Sequence, residues 1–212
     1  MIHRRKILGT WLPALMIAGV VAWGASPGQA RADDFGEGAK KFVATLADDA
    51  ITSLTINDIS SDERARRFRA LMLENFAIKS IARFVLGRHW RTATDAQRKE
   101  YLRLFEDLLV VTYADRFAKY SGETLDIQKA EIRGKKDALV HSTIVRVDGA
   151  KRLKVAWRVR GKADKYRIVD IMVEGISMVQ TQKSEFASFI KQNGNDLEAL
   201  LSELRKRIQA NT

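Results

Sequence analysis

Residues 85–117 read VLGRHWRTATDAQRKEYLRLFEDLLVVTYADRF, and this stretch decides how the rest of the chain is arranged. Gly87 follows the apolar run at 81–86 and is placed to end a first helix. Thr94 and Gln97 have the spacing of a capping box, in which each side chain accepts a hydrogen bond from the other residue's backbone N–H. The stretch therefore predicts a helix end, a turn and a long second helix.

The second helix is apolar over a wide arc. Its apolar positions recur at helical spacing from residue 101 to residue 117, and after Phe105 polar side chains hardly interrupt the run at 108–111. A helix of this kind must contact apolar material on two sides. One side is the protein core, and the other is either more core or a bound apolar ligand.

The order of the residues in this stretch resembles a family signature. LGRHWRTAT at 86–94, Arg98, and LFEDLLVVTYADRF at 104–117 carry the first part. YRIVD at 166–170 and VEGIS at 173–177 resemble the second part. The family is that of the MlaC or toluene-tolerance proteins, which are periplasmic phospholipid-binding proteins and include the hopanoid-associated HpnM branch.

The first 32 residues have the pattern of a cleaved export signal. A charged start, HRRK at 3–6, precedes a mostly apolar run at 7–21, and residues 30–32 form an A-x-A cleavage site. The apolar run is short for a membrane span and is interrupted by proline and glycine, so we expect cleavage rather than a retained anchor. Residues 33–212 then form a single domain, and the family resemblance covers most of it.

The balance of charge narrows the class of partner. The formal charge is +11, and it falls to +7 without residues 1–32, which hold four basic residues and no acid. A basic protein suits nucleic acid, but export to the periplasm argues against that partner. Anionic lipid head groups or acidic protein surfaces fit better. The chain has no cysteine, so disulfides do not stabilise it and the fold depends on its core.

Helical periodicity occurs at both ends of the chain, and a period of two lies between them. Turn residues separate four candidate strands at hairpin-length intervals, which predicts an antiparallel sheet. The fold class is therefore α+β: N-terminal helices, a twisted four-stranded antiparallel sheet and C-terminal helices. The predicted helices besides the long one span 35–54, 60–76, 78–86, 176–192 and 197–208, the last capped by Asn195.

The third strand has the clearest pattern of the four. Leu153, Val155, Trp157 and Val159 alternate with Arg152, Lys154, Ala156, Arg158 and Arg160. This alternation predicts one apolar face and one basic, solvated face. The fourth strand, at 166–174, has apolar residues on both faces, so we expect it to be central or covered on both sides.

A search for catalytic chemistry finds little. There is no G-x-S-x-G elbow, H-E-x-x-H motif or P-loop in the sequence. His141 and Asp170 lie on neighbouring predicted strands, and they form either a base with its orienting carboxylate or a structural hydrogen-bonded pair. His89 has no second metal ligand at a helical or hairpin spacing. We expect no metal, no cofactor and no enzymatic activity.

The family resemblance implies a deep apolar cavity between helices and sheet that receives acyl chains while the head group stays outside. Burial of each methylene contributes about 0.8 kcal/mol, so two acyl chains bind without any catalytic residue. The pocket candidates, chosen by their position in the matching motifs, are Phe84, Phe105, Leu109, Tyr113, Val155, Trp157, Ile171, Val173, Ile176 and Met178.

Two groups of arginines are candidates for polar contacts. Arg83, Arg88 and Arg91 are expected near the rim of the cavity, where they would meet lipid phosphates. Arg64, Arg66, Arg67 and Arg69 lie together on one predicted helix. They either bind phosphates or an acidic partner, or form an ordinary solvated helix surface.

The sequence is identified as that of a periplasmic lipid carrier of the MlaC/HpnM type. By resemblance, its cargo is phospholipid or hopanoid, and it shuttles between an inner-membrane lipid transporter, of the ABC or RND type, and an outer-membrane lipoprotein complex. Two alternatives remain open. One is a periplasmic hydrolase or isomerase that uses His141 and Asp170, and the other is a cargo-free envelope adaptor.

Overall fold

Helices occupy both ends of the described chain and an antiparallel sheet lies between them. The computed structural model describes residues 27–147, 149, 151–162 and 165–211. Most of the predicted export signal therefore lies outside the described residues, although the backbone of residues 27–32 is helical. The α+β class is confirmed.

The elements follow the predicted order. The helices are α1 (Pro27–Leu54), α2 (Ser61–Asn75), α3 (Ile78–Leu86), α4 (His89–Thr92), α5 (Asp95–Tyr113), a 3₁₀ segment (Ala114–Lys119), α6 (Met178–Gln192) and α7 (Leu197–Ala210). The strands are β1 (Thr124–Arg133), β2 (Asp137–Val145), β3 (Leu153–Lys162), β4 (Lys165–Val173) and β5 (Ile176–Ser177).

The sheet has one strand more than predicted. Its order is β1-β2-β3-β4-β5, and each neighbouring pair is antiparallel. β5 holds only two residues, which pair with Met172 and Val173 and leave too short a pattern to detect in the sequence. Ser177 then caps α6 by accepting a hydrogen bond from the N–H of Gln180, so this helix begins at Met178 and not at Ile176.

The helix ends follow their local signals. Thr94 and Gln97 form both hydrogen bonds of the predicted capping box at the start of α5. Gly87 ends α3 with a φ of 60°, a conformation that costs glycine little. The cap of α7 is Asp196, which accepts from the N–H of Glu198, and the expectation that Asn195 would cap it is wrong. Asn195 instead has a left-handed φ of 60° just before the cap.

The register of the strands defines two faces of the sheet, because paired residues project to the same side. Val140 pairs with Trp157, and Trp157 pairs with Ile171. Ser142 pairs with Val155 and Val155 with Val173 in the same way. We call this side the inner face and the opposite side the outer face.

Arginines of β3 lie on the outer face, as predicted, but they are not simply solvated. Arg158 and Arg160 both donate hydrogen bonds to the buried carboxylate of Asp137, at 2.7–3.0 Å. The hydrogen bond from Arg160 is the main cause that lowers the pKa of Asp137, and it outweighs the opposing effect of burial. The outer face is therefore held together by a charge-assisted network.

The buried apolar residues form two separate clusters. The helical cluster joins α2, α3, α5, α6 and α7 around Tyr101, Phe105 and Phe186. The second cluster packs Ala39 and Val43 of α1 against the inner face of the sheet. Val155 and Ile168 are buried yet belong to neither cluster. Val155 is therefore a buried position of the inner face outside both clusters.

In the part of the chain that the structure describes, no helix combines the length and the apolar character needed to cross a membrane.

Candidate functional site

A cleft of ≈ 370 Å³ opens where the 3₁₀ segment after α5 meets the ends of β2 and β3. Its apolar lining residues are half-buried, and its basic lining residues are exposed. We call it the basic-rimmed cleft. The lining residues are Phe117, Tyr120, Ile144 and Leu153, with Arg116, Lys119, Arg146 and Lys151 and the carboxylate of Glu123.

The local sequence explains why these residues meet. Ile144 and Leu153 are register partners at the end of the β2–β3 hairpin, so both project from the inner face. On the other wall, the ring of Phe117 packs against that of Phe68, with centroids 5.9 Å apart. This contact anchors the 3₁₀ segment on α2 and places its basic residues over the strand ends.

Tyr113 lies beside the cleft. The guanidinium of Arg116 stacks over its ring, 5.0 Å from the centroid, and donates a hydrogen bond from Nε to the backbone oxygen of Thr112. The tyrosine ring is 38% exposed. The two side chains form a partly apolar, partly cationic edge, which suits an amphiphile.

The charge of the cleft is positive. Glu123 accepts hydrogen bonds from the backbone N–H and the hydroxyl of Ser121, at 2.9 and 3.1 Å. The hydrogen bond from the backbone N–H of Ser121 is the main cause that lowers the pKa of Glu123, and the charge of Arg146 lowers it further. The carboxylate is therefore ionised at neutral pH. Because four cations surround this single carboxylate, the cleft attracts anions.

An apolar strip leads from the cleft along the inner face. Leu153 lines the cleft, and Val155 follows two residues later on the same side of β3. Val173 and Ile171 pair with Val155 and Trp157 on β4. We call the strip formed by Leu153, Val155, Ile171 and Val173 the seam. Val155 is its most buried member.

The polar atoms beside the seam are satisfied within the sheet. The hydroxyl of Ser142 donates to the backbone oxygen of Val155 at 3.0 Å, and it accepts from the indole N–H of Trp157 at 2.9 Å. Neither group therefore requires a polar ligand. What the inner face offers to a bound molecule is apolar surface.

Some of the predicted pocket residues lie together. Val155, Ile171 and Val173 form the seam, and Trp157 lies next to it with its ring against the α1 cluster. Tyr113 lies at the cleft. The four strand residues thus share the inner face, and Tyr113 lies beside its basic end through its contact with Arg116.

The other predicted pocket residues lie elsewhere or at the margins. Phe105 is 2% exposed and packs against Tyr101 and Phe186 inside the helical cluster. Phe84 is 43% exposed under the ammonium of Lys183. The side chain of Ile176 is 60% exposed on β5. Leu109 packs against the helical cluster, and Met178 is half-buried at the start of α6.

Sequence reasoning missed most residues of the cleft. Ile144 and Leu153 are the apolar positions that flank the β2–β3 turn, and this pattern was available as a signal. The basic residues had no such signal. Arg116 and Lys119 are separated from Arg146 and Lys151 by about thirty positions, and only the folded hairpin brings the two pairs to one opening.

The arginines expected at the rim lie at the other end of α5. Arg88 is the N-cap of α4 and Arg91 lies within this helix, whose backbone oxygens at Trp90 and Arg91 accept hydrogen bonds from Arg98 near the start of α5. The basic-rimmed cleft follows the end of α5. Arg83, on α3, stacks on Trp90 at the same end as α4. The expected position of these arginines at the rim is thus not observed.

The four arginines of α2 mainly hold the protein together. Arg64 is buried and donates from Nε to the backbone oxygen of Leu54, which fixes the α1–α2 connection. Arg67 donates to the backbone oxygen of Ser53, and Arg69 forms ion pairs with two carboxylates of α5. Only Arg66 is largely exposed, and it pairs with Glu63. They do not form a free cationic surface.

His141 and Asp170 do not form the predicted pair. The Nε2 atom of His141 lies 3.3 Å from Glu131, without hydrogen-bonding geometry. Asp170 accepts hydrogen bonds from the hydroxyl of Ser177 and the N–H of Val179, and so caps the start of α6. The register explains the separation, because Asp170 pairs with Arg158 while His141 pairs with Ala156. The two residues therefore provide no base with its orienting group.

Elsewhere, the described structure offers a second depression that is not an apolar pocket, and no metal site. A depression of ≈ 390 Å³ between α6 and α7 is lined by Phe189 among otherwise polar residues, so it does not suit acyl chains. Among the residues that the structure describes, no group of three His, Cys, Asp or Glu side chains is placed to hold a metal ion.

Known proteins provide independent comparisons. Residues 44–206 match the family described as MlaC protein. A relative from Haemophilus influenzae, the intermembrane phospholipid transport system binding protein MlaC, is 21% identical over 115 residues. That alignment covers 53% of this chain and 54% of the relative, so the match spans about half of the relative's length.

A solved structure matches the fold over most of the chain. It is that of a phospholipid-binding protein from Ralstonia solanacearum in complex with a phospholipid, with a TM-score of 0.73 and 22% sequence identity. The alignment covers 82% of this chain and 98% of that chain. The likeness confirms the arrangement of helices around an antiparallel sheet.

Proposed function

The chain belongs to the MlaC protein family, and from this premise we propose that it is a periplasmic lipid carrier. It binds the acyl chains of a phospholipid along the seam and holds the head group at the basic-rimmed cleft. It then shuttles this cargo between the inner and outer membranes. The proposal is supported by the apolar strip on the inner face, which begins at Leu153 in the cationic cleft and continues through Val155 to Val173 and Ile171.

The energetics of burial support a carrier. Transfer of about thirty methylenes out of water contributes roughly 20 kcal/mol before the costs of ordering and association. The cleft alone, at ≈ 370 Å³, lies near the small end of ligand sites. We therefore propose that the acyl chains extend from the cleft along the seam. Non-directional burial of this kind also tolerates chains of different length.

The proposed binding residues are those along the seam and at the cleft. They are Leu153, Val155, Trp157, Ile171 and Val173 for the chains, and Tyr113, Phe117 and Ile144 at the entrance. Arg116, Lys119, Arg146 and Lys151 face the phosphate. The seam requires no cofactor, and no residue along it acts as a catalyst. Hopanoid remains an alternative cargo, since the seam recognises apolar surface and not a particular chain.

The proposed partners are the membrane assemblies that load and unload the carrier. The name of the Haemophilus relative places that protein in an intermembrane phospholipid transport system. For this chain, we propose an inner-membrane lipid transporter, of the ABC or RND type, and an outer-membrane lipoprotein complex. We propose no nucleic-acid partner, because the cargo of this carrier is a single amphiphile.

Lys119→Glu combined with Lys151→Glu should weaken binding of a phospholipid about tenfold, because two cations that face the phosphate become repulsive. Both lysines are exposed, so folding should be preserved. The measurement is fluorescence titration of the delipidated protein with a short-chain fluorescent phosphatidylglycerol. A fluorescent diacylglycerol, which lacks the phosphate, should bind the variant and the wild type alike.

The matched control is Lys135→Glu with Lys136→Glu, the same charge change in the exposed β1–β2 turn. It should bind both lipids like the wild type. If the control variant and the cleft variant bound the phospholipid equally weakly, the cleft would not be the binding site of the head group. A delipidated wild type that binds neither lipid would contradict the carrier function itself.

A further inference from the structure

A second cationic surface lies on α3 and α4, and neither the cleft nor the seam includes it. Between Glu74 and Asp95 the chain has four cations, His89 and no acidic residue. Lys183 of α6 joins this surface through its contact with Phe84. We call it the α3–α4 surface. Its residues are Lys79, Arg83, Phe84, Arg88, Trp90, Arg91 and Lys183.

The cations of this surface lack ion-pair partners. In the described part of the chain, no carboxylate lies within ion-pair distance of Lys79, Arg83, Arg88, Arg91 or Lys183. Elsewhere, the arginines of α2, β3 and α7 are largely neutralised, as at Asp137, Glu106 and Glu100. Asp95, which follows this stretch at the start of α5, is paired with Arg98.

Two cations of the surface, Arg83 and Lys183, lie over aromatic rings. Arg83 and Arg98 stack on Trp90, 5.2 and 5.7 Å from the ring centroid, and Lys183 lies 4.3 Å from the centroid of Phe84. Stacking fixes a guanidinium while it leaves its N–H edge free to donate to a planar carboxylate. Tryptophan and arginine are also the residues that dominate protein–protein interfaces.

The position of the surface separates it from the cargo site. α4 contacts the first turn of α5, whereas the basic-rimmed cleft follows its last turn. α5 has 19 residues and is therefore about 28 Å long. A partner on the α3–α4 surface would leave the mouth of the carrier open. The cations there are thus too far from the cleft to contact the phosphate of the same lipid.

We propose that the α3–α4 surface docks the carrier onto an acidic surface of a membrane-anchored protein, with the cleft left free for exchange of the lipid. The proposal rests on the carrier function and adds to it the site and the chemistry of the partner. A protein fits better than a bare bilayer. Rings that insert into a membrane interface protrude from the surface, but here Trp90 and Phe84 lie under cations.

His89 lies on the α3–α4 surface but does not contribute a positive charge to it. Burial, and then the charge of Arg88, lower the pKa of His89, so its imidazole is neutral at physiological pH. The Nε of Arg88 points to the Nε2 of that ring at 3.4 Å, and its other end donates to the side chain of Asn195. Docking therefore depends on the arginines and lysines and not on the protonation of His89.

The test measures binding of the labelled, lipid-loaded protein to spheroplasts of the bacterium that encodes it. The wild type should bind, and the binding should weaken as salt rises to about 0.5 M. Protease treatment of the spheroplasts should abolish it. Lys79→Glu with Arg91→Glu, two exposed residues without side-chain partners, should weaken binding about tenfold. The control variant with Lys135→Glu and Lys136→Glu should bind like the wild type.

Three results would overturn the docking proposal. They are absent binding of the wild type, unchanged binding of the charge-reversed variant, and equal binding to protein-free vesicles of phosphatidylethanolamine and phosphatidylglycerol. The last would indicate a bilayer as the partner. Lipid content, measured by mass spectrometry on the same samples, separates the two proposals. A variant that loses docking but retains cargo supports both, whereas a lipid-free wild type contradicts the carrier function.

Discussion

Val155→Glu should leave the protein folded and remove its lipid. Val155 is 4% exposed at the centre of the seam and belongs to neither buried cluster. A carboxylate that faces acyl chains would have to be desolvated without a partner, which costs several kcal/mol. Without lipid, we expect water to reach the seam and solvate the carboxylate. Organic extraction and mass spectrometry of the purified variant should show almost no phospholipid, with circular dichroism unchanged.

The matched control is Ala156→Glu. Ala156 precedes Trp157 on the same strand but lies on the outer face, where it pairs with His141 and Met172. Its variant should keep the cargo, since the new carboxylate points away from the seam. If Val155→Glu unfolds the protein while Ala156→Glu does not, the seam is an ordinary dry core. If Val155→Glu keeps its lipid, the acyl chains lie elsewhere.

Phe105→Ala should lower the free energy of unfolding by about 3–5 kcal/mol, because it leaves a cavity among close-packed rings. Phe105 is 2% exposed, and its ring centroid lies 5.8 Å from that of Tyr101 and 6.4 Å from that of Phe186. Urea denaturation at equilibrium measures the loss. The lipid content per folded molecule should not change, since Phe105 lies inside the helical cluster and not along the seam.

Phe84→Ala is the control for loss of an aromatic ring. Phe84 is 43% exposed and contacts Lys183, so its removal should cost less than about 1 kcal/mol. A variant at Phe105 that stayed stable and lost its lipid would place this residue in the cargo site. That outcome would mean that Phe105 contacts the lipid, as its position in the sequence motif predicts, and does not serve mainly to stabilise the helical cluster.

Local signals predicted the fold because they act over a few residues. The capping box at Thr94 and Gln97 and the glycine at Gly87 fix helix ends through hydrogen bonds and φ angles that the sequence itself specifies. The alternation of apolar and basic residues on β3 likewise predicted its two faces. Asn195 was assigned as a cap from its residue type, but the neighbouring Asp196 has the cap geometry.

The site was only partly predictable, since it depends on distant contacts. The position of residues within the matching motifs identified Val155 and Val173, which lie on the seam. It also identified Phe105, which is buried, and Phe84, which is exposed, because motif position does not show in which direction a helical side chain projects. No local pattern reveals that Arg69 is paired with carboxylates of α5, whereas Arg91 pairs with no carboxylate among the described residues. Partners of charged residues are set by packing between elements, and this information appears only in the folded chain.

The most direct measurement of the central claim is the lipid content of the wild-type protein. The chain is expressed in a bacterial periplasm, purified without detergent, and analysed by native mass spectrometry and by mass spectrometry of its organic extract. We expect stoichiometric phospholipid, or hopanoid in a host that makes it, released as a defined mass from the native complex. A folded wild type that carries no lipid, and that binds none when phospholipid is supplied, would contradict the claim that the seam holds acyl chains.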